Sequence, residues 1–213
     1  QNEQLEEFAS VVSHDLRNPL NVASGRIRLA REEYDGDHLD PAVKALERME
    51  AIIEDTLVLA REGQTVADRE WIQIQHVATQ CWEMVETTES CLEITEPFEV
   101  YADRSRLRHI FENLFRNAVE HNDGGSTVRV GPLDAAGFYV EDDGAGIPHD
   151  ERKKVLKPGY TTESEGTGFG LTIVNRIAQA HRWDIRITDG TDGGARFEFT
   201  NVDTRNESEF AFH

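Results

Sequence analysis

The chain has 213 residues, 38% of them hydrophobic and 30% charged, enough for one large or two small domains with a real core. Acidic residues number 41 against 22 basic ones, a formal charge of -19 with no basic patch or stripe, so direct nucleic-acid binding is disfavoured. No apolar run approaches the roughly 20 residues that span a bilayer, and no signal-peptide pattern opens the chain.

Cys81 and Cys91 lack CxxC spacing and a nearby His pattern, which disfavours a metal-thiolate site or disulfide framework and makes a reducing cytoplasm the default. The acids are spread along the whole chain, and only Lys44, Lys153, Lys154 and Lys157 are lysines. That pattern resembles proteins of salt-loving organisms, where short-range screening suppresses self-repulsion.

In chain order, apolar residues at Leu5, Phe8, Val12, Leu16, Leu20, Ala23, Ile27 and Ala30 recur in steps of three and four. They predict one amphipathic helix over residues 1–34, about 50 Å long. His14 lies well off that stripe and is expected to face water. Asp15 follows it directly, Arg17 shares the run, and Pro19 bends a helix within the next two turns. A lone surface histidine is ordinary; this company suggests a helix shaped around an imidazole.

Asp35-Gly36-Asp37-His38 supplies turn chemistry, and Pro41 suits the first turn of a second helix carrying Val43, Leu46, Met49, Ile53, Leu57 and Ala60. Residues 1–64 therefore read as a helical hairpin. Two helices cannot enclose a core, so the open stripe predicts a symmetric homodimer forming a four-helix bundle. Gln1 already sits in helical register, and the natural protein is expected to continue upstream.

Residues 65–68 read as a linker to a second domain over 69–203. Trp71 to Ile74 alternates as a strand, Val77 to Val85 as a helix, and Leu92–Ile94 and Phe98–Tyr101 as strands joined at Glu96-Pro97. Asp103 caps a strong helix bearing Leu107, Ile110, Phe111, Leu114, Phe115 and Ala118. Strands follow at 127–131 and 137–141, then a glycine-rich loop at 142–146 and an irregular segment to 167. A last helix over Leu171–Ala180 precedes strands at 184–188 and 195–200. The fold class is α+β: the helical hairpin, then an α/β sandwich of one sheet with helices on one side. Residues 204–213 are expected to be a disordered tail.

Three motifs in the second domain carry chemistry. Asn113 and Asn117 stand four apart on one helix face, and neutral oxygens suit a Mg²⁺ already bound to triphosphate. Asp142-Asp143-Gly144-Ala145-Gly146 ends a strand; an acid there can accept from an adenine amino group, while Gly144 and Gly146 admit the base close to backbone. Gly166-Thr167-Gly168-Phe169-Gly170-Leu171 opens into the last helix, an anion site suited to phosphates. It is neither a Walker A loop nor a dinucleotide fingerprint.

Residues His14 to Leu20 resemble the H box of sensor histidine kinases with a HisKA-type dimerisation domain. The Asn pair, the Asp142 loop and the Gly166 loop are similar to the N, G1 and G2 boxes of the GHKL ATPase domain, in that order. The resemblance covers residues 5–200, and the wording of the second half is haloarchaeal in style. It implies a two-component protein-histidine kinase core. His14 would be the phospho-acceptor for ATP, with Asp15 taking its proton or orienting the ring. Asn117, assisted by Asn113, would hold Mg²⁺; Asp142 would read adenine; Gly144 and Gly146 would shape its pocket. Gly166, Gly168, Gly170 and Leu171 would lie under the phosphates, and 151–167 would be an ATP lid containing Tyr160 and Thr161. Phosphohistidine would pass to an Asp of a response-regulator receiver domain. Asn18, one turn beyond His14, would orient water for dephosphorylating the regulator. An upstream sensor domain is implied, and this fragment would be cytoplasmic.

Several positions depart from the family. Glu120 stands where a phosphate-contacting Lys is common, so either Arg116 or His121 compensates or affinity is low. Ala195 replaces a frequent Thr beside the adenine pocket, and Lys157-Pro158-Gly159-Tyr160 occupies the place of the F box. Two other classes remain: a chaperone- or repair-type GHKL ATPase using a general-base Glu, for which Glu112 is the nearest acid, and a non-catalytic phosphotransfer scaffold.

Overall fold

A computed structural model describes residues 20, 22–23, 25–27, 30, 39, 42, 45–46, 49, 66, 68–85, 89–122, 125–157, 160 and 169–206. The chain divides into two compact units, one of residues 1–64 with 158–170, the other of 65–157 with 171–213. In the first unit the described residues between 20 and 30, and between 42 and 49, are helical. Leu20 and Leu46, both on the expected apolar stripes, are buried. His14, Asp15 and Asn18 lie outside the described residues. No helix among the described residues is long and apolar enough to cross a membrane.

The second unit is built from β1 (Glu70–Gln73), α1 (Ile74–Trp82), β2 (Cys91–Ile94), β3 (Phe98–Ala102), α2 (Arg104–Glu120), β4 (Thr127–Pro132), β5 (Gly137–Glu141), α3 (Gly170–His181), β6 (Asp184–Asp189), β7 (Ala195–Thr200) and β8 (Thr204–Asn206). The expected single sheet is in fact two. Five strands run in the order β2-β4-β5-β7-β6, and a smaller sheet runs β1-β3-β8. β2 pairs parallel with β4, while β3 leaves to pair antiparallel with β1 and β8. β2 alternates exposed and half-buried residues as an edge strand does, whereas β3, with Phe98, Glu99, Val100 and Ala102 buried, is the central strand between β1 and β8.

The third strand of the small sheet corrects the first three residues of the expected tail, 204–206; residues 207–213 lie outside the described residues. Thr204, Arg205 and Asn206 pair with Val100, Glu99 and Phe98. Arg205 secures them by donating from Nε to Glu99 at 2.7 Å and by lying 4.2 Å above the Trp71 ring. Polar residues that would fray alone are held by a buried carboxylate and an aromatic face.

One face of the large sheet is the core. Val128, Val130, Phe138, Val140, Phe197 and Phe199 point into it and are buried. α2 packs there through Phe111, whose ring centroid lies 6.3 Å from that of Phe138; Phe199 stacks on Phe138 at 4.6 Å. α2 starts where Asp103 accepts from the Ser105 and Arg106 amides at 2.9 and 3.2 Å, satisfying two donors at the helix N-terminus. The end of α3 is tied to this cap: buried His181 accepts the Asp103 amide on Nε2 at 3.1 Å, and its Nδ1 lies 2.9 Å from the Ile177 carbonyl.

Candidate functional site

The glycine-rich loop after β5 is fixed by its own aspartates. Asp142 Oδ1 accepts from the Gly144 amide at 2.9 Å and from the Ala195 amide of β7 at 3.2 Å. Burial pushes the Asp142 carboxyl above the usual range, outweighing these stabilising bonds. Asp143 shifts the other way. Burial opposes its ionisation, but hydrogen bonds from the Thr127 amide at 2.8 Å and the Ser126 hydroxyl at 3.0 Å hold its carboxyl below the usual range. Adjacent acids thus divide the work: Asp143 staples the loop to β4, and Asp142, itself half-buried, ties it to β7.

The glycines are required by what surrounds them. A Cβ on Gly144 would stand 1.9 Å from Asn122 Oδ1, and Gly146 has a φ of +72 that strains any side chain. A Cβ on Gly194 would meet the Asp142 carbonyl oxygen at 2.0 Å, so backbone from the β6–β7 turn lies directly on this loop.

Asn113 and Asn117 are both half-buried on α2, with the Asn113 amide donating to the His109 carbonyl at 2.8 Å. That bond uses the nitrogen end and leaves the carboxamide oxygen as the acceptor end. Among the described residues no group of three or more His, Cys, Asp or Glu is placed to hold a metal ion. The donors on α2 are neutral oxygens, which fit a hard cation whose charge is balanced by phosphate. Glu112 is turned elsewhere: Oε2 lies 3.2 Å from His109 Nδ1, and Oε1 accepts from Arg108 at 3.2 Å. These contacts, His109 foremost, hold its carboxyl below the usual range and make it a poor proton acceptor, which counts against the chaperone-type reading.

Beyond the loop, residues 149–156 form turns, with Arg152 donating to the Ile147 carbonyl at 2.9 Å and pairing with Asp189. Tyr160 is half-buried. Gly170 and Leu171 are the first residues of α3. Thr161, Gly166 and Gly168 lie outside the described residues. Glu120 is exposed at the last position of α2, and buried Ala195 contributes its backbone amide to Asp142.

Asn122 went unmarked in the sequence. Its Nδ2 donates to the Ala118 carbonyl at 2.7 Å and to Ser126 Oγ at 3.2 Å, and Ser126 in turn donates to Asp143. It thereby joins the end of α2 to the glycine loop. No local pattern distinguishes it from any other asparagine after a helix.

The clamped aspartate, its glycine-cut loop and the helix carrying paired asparagines lie in a chain that two family models match. Residues 102–205 match the family of histidine kinase-, DNA gyrase B- and HSP90-like ATPases, and residues 4–65 match the His Kinase A (phospho-acceptor) domain. The chain belongs to the sensor histidine kinase family. It is 26% identical over 205 residues to Sporulation kinase C of Bacillus subtilis, covering 90% of this chain and 47% of that protein. It is 29% identical over 212 residues to the sensor histidine kinase CpxA of Escherichia coli, covering 90% and 45%. The chain thus spans less than half the length of either relative. The solved structure of full-length ShkA in complex with AMPPNP matches with a TM-score of 0.65 and 26% identity, over 91% of this chain and 45% of that one.

Proposed function

We propose that the chain is the catalytic core of a two-component sensor, an ATP-dependent protein-histidine kinase that phosphorylates His14. The outward nitrogen of His14 attacks the γ-phosphorus of ATP, a P–N bond forms, the bond to the bridging oxygen breaks, and ADP leaves. Asp15 takes or orients the imidazole proton so that the attacking nitrogen carries a lone pair. Residues 69–206 form the ATP domain and 1–64 the dimerisation and phosphotransfer domain, joined by the linker 65–68. Asp142 accepts from the adenine amino group, Gly144 and Gly146 admit the ring, and Gly166, Gly168, Gly170 and Leu171 cradle the phosphates. Tyr160 and Thr161 belong to the lid. Asn117, with Asn113, would hold Mg²⁺, which would supply charge neutralisation at the phosphates.

The phosphoryl group then moves to an Asp carboxylate of a response-regulator receiver domain, and Asn18 orients water for the reverse, phosphatase, reaction. The working form is a homodimer under an upstream sensor domain, with this portion in the cytoplasm. Its acid-rich, lysine-poor composition suits a high-salt interior.

The observation that carries this reading is the clamped Asp142 in its glycine loop, in a chain that also matches the phospho-acceptor domain. Incubation with γ-labelled ATP and Mg²⁺ tests it. The expected product is acid-labile, alkali-stable label on the protein that disappears in His14→Ala. Free phosphate with no labelled protein would instead mark a chaperone-type ATPase.

A further inference from the structure

The outer face of the large sheet carries one feature that nucleotide chemistry does not use. Glu93 of β2, Arg129 of β4, Glu141 of β5 and Arg196 of β7 are successive cross-strand neighbours, a row of alternating charge across four strands. Arg129 donates to Glu93 at 2.9 Å, and Arg196 donates to Glu141 Oε2 at 2.9 Å. Glu141 is only 2% exposed although it belongs to the face opposite the core. It is covered because the β6–β7 turn folds over it: Thr191 Oγ1 donates to Glu141 Oε1 at 3.0 Å, and Asp192 accepts from Arg129 at 2.5 Å.

The other side of that turn forms a wall of the nucleotide loop. The Gly190 amide donates to the Gly194 carbonyl at 2.7 Å, closing the turn. A Cβ on Gly194 would lie 2.5 Å from Asp142 Oδ1, and one on Gly146 would lie 2.9 Å from the Gly193 carbonyl oxygen. Ala195, the next residue, gives its amide to Asp142 Oδ1. The turn is therefore held by the ion row on one side and holds Asp142 on the other. A buried carboxylate on a sheet face is weak evidence for stability, because desolvation cancels much of the attraction. What it supplies here is a fixed position.

We infer that Glu141 and Thr191 are positioning residues for purine recognition: they lock the 190–194 turn and thereby aim the Asp142 carboxylate. This rests on the reading of Asp142 as the adenine acceptor. Removing the lock loosens the purine contact without touching the phosphates or His14, so discrimination between ATP and GTP falls while the chemical step is unaffected.

The test uses the full chain, with ATP and GTP as probes, and the variants Thr191→Val, Thr191→Ser, Glu141→Gln and Asp142→Asn. Losing one charge-assisted hydrogen bond is expected to weaken ATP binding about fivefold in Thr191→Val. GTP binding and kcat are expected to stay at wild-type levels, and Thr191→Ser, which keeps the hydroxyl, to restore ATP binding. Glu141→Gln is expected to lower the ATP-to-GTP ratio at least as much. An unchanged ratio in Thr191→Val, with the ratio lost in Asp142→Asn, overturns the positioning role alone. An unchanged ratio in Asp142→Asn overturns the purine assignment and the inference with it.

Discussion

Acidification from pH 7 to pH 5 probes the joint between α2 and α3. Burial, with Arg69 and Arg106 nearby, pushes the His181 imidazole down to about 4 from an ordinary 6.5, although the Ile177 carbonyl and Asp103 favour the charged form. Geometry gives the same direction, because Nε2 accepts the Asp103 amide and protonation would place two donors face to face. In the folded state the ring stays neutral down to about pH 4, while in the unfolded chain it charges from 6.5 downward. Stability is therefore complete above pH 6.5 and is lost as pH falls toward 4, with no further loss below that value. At about 1.4 kcal/mol per pH unit the loss is capped at about 3 kcal/mol, and roughly 2 kcal/mol of it falls between pH 7 and pH 5. The assay is denaturant unfolding at a series of pH values for wild type and His181→Gln. Tryptophan fluorescence suits it, because Trp183 stacks on His181 at 4.3 Å. Carboxylates elsewhere contribute equally to both proteins and cancel. The wild type should lose about 2 kcal/mol more than the variant between pH 7 and pH 5. Parallel pH profiles would refute the neutral, hydrogen-bonded ring.

Three further outcomes are expected. Gly144→Ala should weaken ATP binding, since its methyl, 1.9 Å from Asn122 Oδ1, would push that side chain off Ala118 and Ser126; calorimetric titration showing wild-type affinity would contradict the loop geometry. Asp103→Ala removes the acceptor for two α2 amides and should cost about 1 kcal/mol in equilibrium unfolding. Asn18→Ala should retain autophosphorylation but lose dephosphorylation of a phosphorylated receiver domain, and a variant in which both activities change together would remove the proposed water-orienting role.

Much of the ATP domain was readable because its elements are locally encoded. The stripe Leu107, Ile110, Phe111, Leu114, Phe115 and Ala118 is the buried face of α2, and Asp103 is its cap. The glycines at 144 and 146 stand out in the sequence as room for a base against the backbone; beside them the structure shows the Asn122 side chain and the Gly193 carbonyl. What escaped was set by partners distant in sequence. Cys91–Ile94 looks like any short strand, and nothing in it states that it pairs parallel with Thr127–Val130 rather than with the strand that follows. Thr204–Asn206 is polar, and it is held by Glu99 and Trp71, both more than a hundred residues earlier in the chain. Glu141 read as one acid among many, because the arginines and the Thr191 hydroxyl that bury it come from other strands and a turn.

The central claim is that a phosphoryl group bound through Asp142 ends on His14. Phosphorus NMR of the chain after incubation with ATP and Mg²⁺ tests it most directly. The account predicts a phosphoramidate resonance that is absent in His14→Gln and strongly reduced in Asp142→Asn. A phosphoramidate signal that survives in His14→Gln, or only inorganic phosphate from the wild type, would contradict it.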